Sequence, residues 1–125
     1  MRITRFEDLG CWQEARIIAN SIYGVCRNHE LKNDFSLSNQ LKRAAVSIMA
    51  NIAEGFARKS DKEFIQFLFI AKSSAAELQS HIYVAHDLKY INPPQFAEIY
   101  ERSDKLQRKI SSLIKYLKSS FSHRK

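Results

Sequence analysis

Residues 40–58 read QLKRAAVSIMANIAEGFAR. At about 100° per residue, Leu41, Ala45, Ile48, Ile52 and Phe56 fall on one side of a helix, while Val46, Met49, Ala50, Ala53 and Ala57 fall on another. Two apolar faces predict two buried contacts and leave almost no ordinary solvent face. Between them Gln40, Arg43, Ser47, Asn51, Glu54 and Arg58 recur at steps of three and four, which keeps them on one polar line along the helix.

A buried ion or amide is costly unless it is paired, so this line calls for partners. One reading is a hydrogen-bonded seam that fixes register between helices or subunits. It makes Arg43, Met49, Asn51, Ala53, Glu54 and Arg58 structural and oligomer-interface residues. The other is contact of Arg43 or Arg58 with a ligand or nucleic acid. Gly55 lies inside the same helix, where glycine costs about 1 kcal/mol relative to alanine; a close approach of two helices accounts for it.

The remaining chain supplies the surfaces this helix needs. Its 125 residues suit one domain with one core. A hydrophobic fraction of 45% with 26% charged residues, three Gly and two Pro marks a folded chain with few breakers, hence long helices. The first helix is expected to begin near Glu7 or Asp8, to carry Leu9, Trp12, Ala19, Ile22 and Cys26 inward, and to end near His29. The polar run Lys32-Asn33-Asp34 reads as a turn, and Ser36 or Ser38 as the cap of the second helix. Ser60-Asp61-Lys62-Glu63 fits a capping box. It opens a third helix with Phe64, Phe67, Leu68, Ala71, Ala75, Leu78, Ile82, Ala85 and Leu88 on one stripe. Asn92-Pro93-Pro94 ends that helix and starts the fourth, whose inner face is Phe96, Ile99, Leu106, Ile110, Leu113, Leu117 and Phe121. Four long helices joined by short turns argue for an all-α, antiparallel up-down-up-down bundle.

Charge is unevenly placed. From Arg102 to the end there are eight basic residues against one acid, Asp104, a balance of +7 that equals the net charge of the whole chain. Residues 1–101 hold twelve of each sign and cancel. A solvated face normally mixes signs, so Lys105, Arg108, Lys109, Lys115 and Lys118 are the candidate contacts to an RNA or DNA backbone. The competing reading keeps this face merely solvated. It places the working surface on the surplus apolar residues Val46, Met49, Ala53, Ile65 and Phe69, as a protein-interaction scaffold.

Catalytic and metal constellations are not legible. A di-iron bundle needs Glu-x-x-His spacing, which is absent; Glu77 and His81 are four apart and pair across one turn at most. Ser47, Ser73 and Ser74 lack a nucleophile elbow, and Gly10, Gly24 and Gly55 stand alone rather than in a phosphate loop. No enzyme activity, metal or cofactor is expected. Cys11 and Cys26 lie fifteen residues apart, roughly 22 Å along one helix, too far for a disulfide. Without a leader-like or membrane-spanning apolar run, the chain reads as cytoplasmic.

Phe6-Glu7-Asp8-Leu9 with Trp12-Gln13, Gln40-Leu41 with Arg43-Ala44-Ala45, Ser47-Ile48, and Asn51-Ile52-Ala53-Glu54-Gly55 resemble the four-helix-bundle family encoded in intervening sequences of bacterial 23S ribosomal RNA genes. Phe64, Phe67-Leu68, Ala71, Ser74 and Glu77-Leu78 extend the likeness. Ser36 and Lys72-Ser73 depart from it, each where a glycine is usual. The resemblance implies a homo-oligomer, with a ring of five subunits known in the broader group. It also implies kinship to the accessory variability determinant proteins of diversity-generating retroelements, which are basic, bind nucleic acid and partner a reverse transcriptase. No catalytic residue comes with it.

Overall fold

Side-chain caps and one tight corner set the helix boundaries in the computed structural model, which describes residues 2–123, with side chains as far as Ser119. A 3-10 turn at Phe6–Asp8 precedes α1 (Gly10–Val25), α2 (His29–Asn33), α3 (Phe35–Phe56), α4 (Asp61–Asp87) and α5 (Pro93–His123). No strand occurs among the described residues. Ser60 caps α4 as expected, accepting from the Glu63 N–H at 3.2 Å, but the Glu63 carboxylate accepts from the Ser60 hydroxyl at 3.3 Å rather than from its backbone N–H, so only half of the expected capping box forms. Asn92 and Gln95 cap α5 reciprocally, each side chain accepting from the other's backbone N–H at 2.9 Å.

Three boundaries differ from expectation. Glu7 and Asp8 sit in the 3-10 turn, and the extended Leu9 redirects the chain before α1 begins at Gly10. This kink buries Leu9 and lays Phe6 edge-on against Trp12 at 5.1 Å. The chain then leaves α1 at Val25, and Asn28 caps the short α2 by accepting from the Glu30 N–H. α3 starts at Phe35, capped not by Ser36 or Ser38 but by Asp34, which accepts from the Leu37 N–H at 3.1 Å. Tertiary contact selects that cap: the Tyr90 hydroxyl donates to the other Asp34 oxygen at 3.1 Å, while Asn28 donates to the Tyr90 carbonyl at 2.8 Å. That hydrogen bond to Asp34 is also the largest influence pushing the Tyr90 hydroxyl pKa up.

Tyr90 reaches both partners because the corner after α4 is tight. Lys89 adopts φ 62°, and the Tyr90 N–H donates back to the Ala85 carbonyl at 2.9 Å. A left-handed residue other than glycine costs roughly 1–2 kcal/mol. The Asn28–Tyr90–Asp34 bonds are what hold it there.

One contiguous core gathers the predicted faces. Leu41, Ala45, Ile48 and Ile52 of α3 are fully enclosed, with Leu68, Ala71, Ala75, Leu78 and Ile82 of α4, Ile18 and Ile22 of α1, and Leu106 and Ile110 of α5. Two stripe assignments change. Leu88 follows the last turn of α4 and is exposed, whereas Ile65, expected to be surplus surface, is buried. The Phe121 side chain lies outside the described residues.

Contacts pair neighbouring helices in opposite sequence order. Gly55 meets Phe64 and Phe67 while Ser47 meets Ser74, which packs α3 on α4. Tyr83 meets Phe96, Gln79 meets Asp104, and Lys118 lies over Phe69, which packs α4 on α5. The closest of these approaches is at Gly55. A Cβ there would stand 2.6 Å from the Phe67 Cβ, 3.0 Å from Phe64 Cδ1 and 3.3 Å from the Phe64 carbonyl oxygen. Gly55→Ala therefore sets a helix-propensity gain of about 1 kcal/mol against overpacking of about 1–3 kcal/mol. The expected result is a lower urea midpoint with the m-value unchanged; a higher midpoint would show that the two helices are not held apart by backbone contact alone.

Candidate nucleic-acid interface

α5 changes character at its middle. Its first half carries Glu98, Glu101 and Asp104, while from Lys105 onward the sequence has seven basic residues and no acid. The inward positions are apolar, and Ser103 Oγ donates to the Ala75 carbonyl at 2.9 Å. Gln79 Nε2 donates to Asp104 at 2.9 Å and to the Tyr100 carbonyl at 3.2 Å, and Gln107 donates to Gln79 at 2.8 Å. The last acid of the chain is thereby turned toward α4.

Lys105, Arg108, Lys109, Lys115 and Lys118 are all exposed, as a phosphate contact requires. They are not equivalent. Glu14 of α1, only 3% exposed, sits across from α5, where Arg102 donates to its carboxylate at 3.1 Å and Lys105 approaches to 3.6 Å. Arg102 also lies 3.9 Å from Glu98. Lys105 is thus partly engaged inside the bundle, neutralising a carboxylate that would otherwise be costly to bury. Arg108 and Lys109 meet no carboxylate within salt-bridge distance among the described residues. Lys115 lies seven residues after Arg108, about two helical turns, and so shares its face. Lys118, opposite Lys109 and about 60° around from Lys115, places its ammonium 5.5 Å from the Phe69 ring centre.

The structure adds two features that sequence spacing does not reveal. Lys72 of α4 shares a shallow cavity with Asp104, Gln107 and Arg108. Another open cavity, of about 420 Å³, lies where Ile3, Leu9, Gly10 and Cys11 face Lys105, Arg108, Lys109, Ser112 and Leu113. Burial pushes the Cys11 thiol up to about 11, against backbone hydrogen bonds and the Lys109 charge that pull it down. Cys26 is raised by burial as well. Both are free thiols with little thiolate at neutral pH.

The polar line on α3 resolves into parts. Ser47 and Ser74 hydroxyls lie 3.0 Å apart, and Asn51 donates to the Ser47 carbonyl at 2.8 Å and hydroxyl at 3.0 Å; this is a seam between α3 and α4. Glu54 and Arg58 pair along the surface at 3.3 Å, with the Arg58 guanidinium 4.7 Å over Phe67. Arg43 is exposed and lines a groove with Gln40, Glu77 and His81, the last two 3.8 Å apart. The second apolar face is not covered within the chain: Val46 is 40% exposed, Ala50 and Ala57 are exposed, and Met49 and Ala53 are half-buried. The helix therefore has a solvent face after all, in which Val46, Ala50 and Ala57 form an apolar strip beside Arg43 and Glu54.

Among the described residues no group of three or more His, Cys, Asp or Glu is placed to hold a metal ion. No helix there is long and apolar enough to cross a membrane.

Comparison with known proteins gives a family. A crystal structure at 1.70 Å resolution, of a protein with unknown function from the S23 ribosomal protein family of Bacteroides thetaiotaomicron VPI-5482, is similar. Its TM-score is 0.78 at 26% sequence identity, covering 84% of this chain and 98% of that one. No curated protein matches the sequence. The family model for the 23S rRNA-intervening sequence protein matches residues 7–112, from the 3-10 turn into the basic half of α5. The chain therefore belongs to the 23S rRNA-intervening sequence protein family.

Proposed function

We propose that this chain is a non-catalytic, single-domain, antiparallel up-down-up-down four-helix bundle that self-associates and binds RNA or DNA backbone through the second half of α5. The observation that carries the reading is the one-signed surface: Arg108 and Lys115 are exposed on one line of the helix, Lys109 is exposed about 100° around from Arg108, and no acid after Asp104 offsets them. Such a face holds phosphates through counterion release and reads little sequence. Two free, buried thiols accord with a reducing cytoplasm.

Self-association rests on a separate feature. Val46, Ala50 and Ala57 leave an apolar strip along α3, edged by Arg43 and flanked by the half-buried Met49 and Ala53. A second copy covering it would give α3 its second buried contact, and the family resemblance implies a ring of five. Of the broader scaffold surface, Ile65 is in the core, while Phe69 stays exposed with the Lys118 ammonium near its ring.

Two measurements test these parts. In fluorescence anisotropy at low salt, combining Arg108→Glu, Lys109→Glu and Lys115→Glu should weaken binding to an RNA or DNA hairpin at least about tenfold, with unchanged helical circular dichroism. Failure of the wild-type protein to bind either hairpin would overturn the backbone-binding reading. Light scattering coupled to size exclusion should report a multimer that Val46→Glu with Ala53→Glu converts to monomer; a wild-type monomer at micromolar concentration would overturn self-association.

A further inference from the structure

The cavity of about 420 Å³ beside α5 lies within the size range of small-ligand pockets, roughly 300–1,000 Å³. Its chemistry is divided. Leu9, Cys11 and Leu113 make an apolar floor, and the floor stays uncharged because burial keeps the Cys11 thiol protonated at neutral pH. Arg108 and Lys109 stand at the rim, with no carboxylate within salt-bridge distance of either among the described residues. Lys105 stands beside them but is drawn toward Glu14.

The complementary ligand has a flat or apolar body that carries an anion on a short linker. A nucleotide out of its stack has that form, since unpaired bases are the parts of RNA that proteins enclose. We propose that this socket takes one unpaired nucleotide of a bound nucleic acid, its base against Leu9, Cys11 and Leu113 and its phosphate on Arg108 and Lys109. The inference rests on the backbone-binding reading above. A strand already held along α5 presents its own unpaired residues at high effective concentration, and the socket opens on that same face. No aromatic ring lines it, so apolar contact with one face of the base, rather than ring stacking, holds it and its identity matters little.

The test uses three RNA hairpins of equal length: fully paired, with a single-nucleotide bulge, and with the same bulge made abasic. Each is titrated by anisotropy into the wild-type protein and into Ser112→Phe, which fills the socket without changing charge. Wild type should bind the bulged hairpin about tenfold more tightly than the paired one, through apolar surface covered by the base. The abasic bulge should bind like the paired hairpin. Ser112→Phe should lose the preference and bind the paired hairpin as wild type does. Equal wild-type affinity for bulged and paired hairpins would overturn the socket while leaving backbone binding intact, and so would a preference that survives base removal. If no hairpin binds at low salt, the reading of α5 itself fails, and the socket with it.

Discussion

The structure depends on the close approach of α4 to α3 at Gly55, where Phe64 and Phe67 occupy the room a Cβ would need. Helices with ordinary side chains between them pack 8–10 Å apart; removing one Cβ lets the first turns of α4 come down on the last turns of α3, with Phe67 Cβ in the space an alanine methyl would need. Small residues continue the fit, since Ala44 and Ala45 of α3 and Ala71 and Ala75 of α4 are all buried. Once α4 is seated, Ala75 offers its carbonyl to Ser103 and Gln79 reaches Asp104 and Gln107, so the rotation of α5 follows. Glu14 then ties α1 to α5 through Arg102. The direction in which the basic residues of α5 point is the end of that chain of contacts.

The same contacts explain why those basic residues are not one uniform patch. Polar groups near the middle of the helix are used to fix its position, and this draws in Lys105 along with Arg102. Toward the C-terminal end the inward positions are apolar, Ile110, Leu113, Ile114 and Leu117. Among the described residues no acid lies within salt-bridge distance of Arg108, Lys109 or Lys115. The polar groups that fix the helix and the one-signed stretch proposed to contact a ligand thereby occupy different lengths of a single helix.

Much of the fold was legible because it depends on local patterns. The core face of α3 needs only 3.6-residue periodicity, and the Ser60 and Asn92 caps need only neighbours three residues away. What was missed depends on distant partners. Asp34 outcompetes Ser36 as a cap because Tyr90, 56 residues away, orients its carboxylate. The five-residue α2 is too short to show a period. Glu14 looks like any surface acid until Arg102, 88 positions later, folds against it. The basic run was equally plain in the sequence, but its division into Lys105 facing Glu14, Lys118 over Phe69 and an outer set of Arg108, Lys109 and Lys115 needed the packed helices. The apolar socket at their edge had no sequence signal, because its walls come from both ends of the chain.

The central claim is that α5 holds a nucleic-acid backbone by charge. The most direct measurement is the slope of log binding constant against log salt for a duplex DNA. Each neutralised phosphate contributes about −0.9, so engagement of three to four cations predicts a slope of about −3 to −4, approaching zero when Arg108, Lys109 and Lys115 are reversed. Binding that is tight but indifferent to salt would contradict the account.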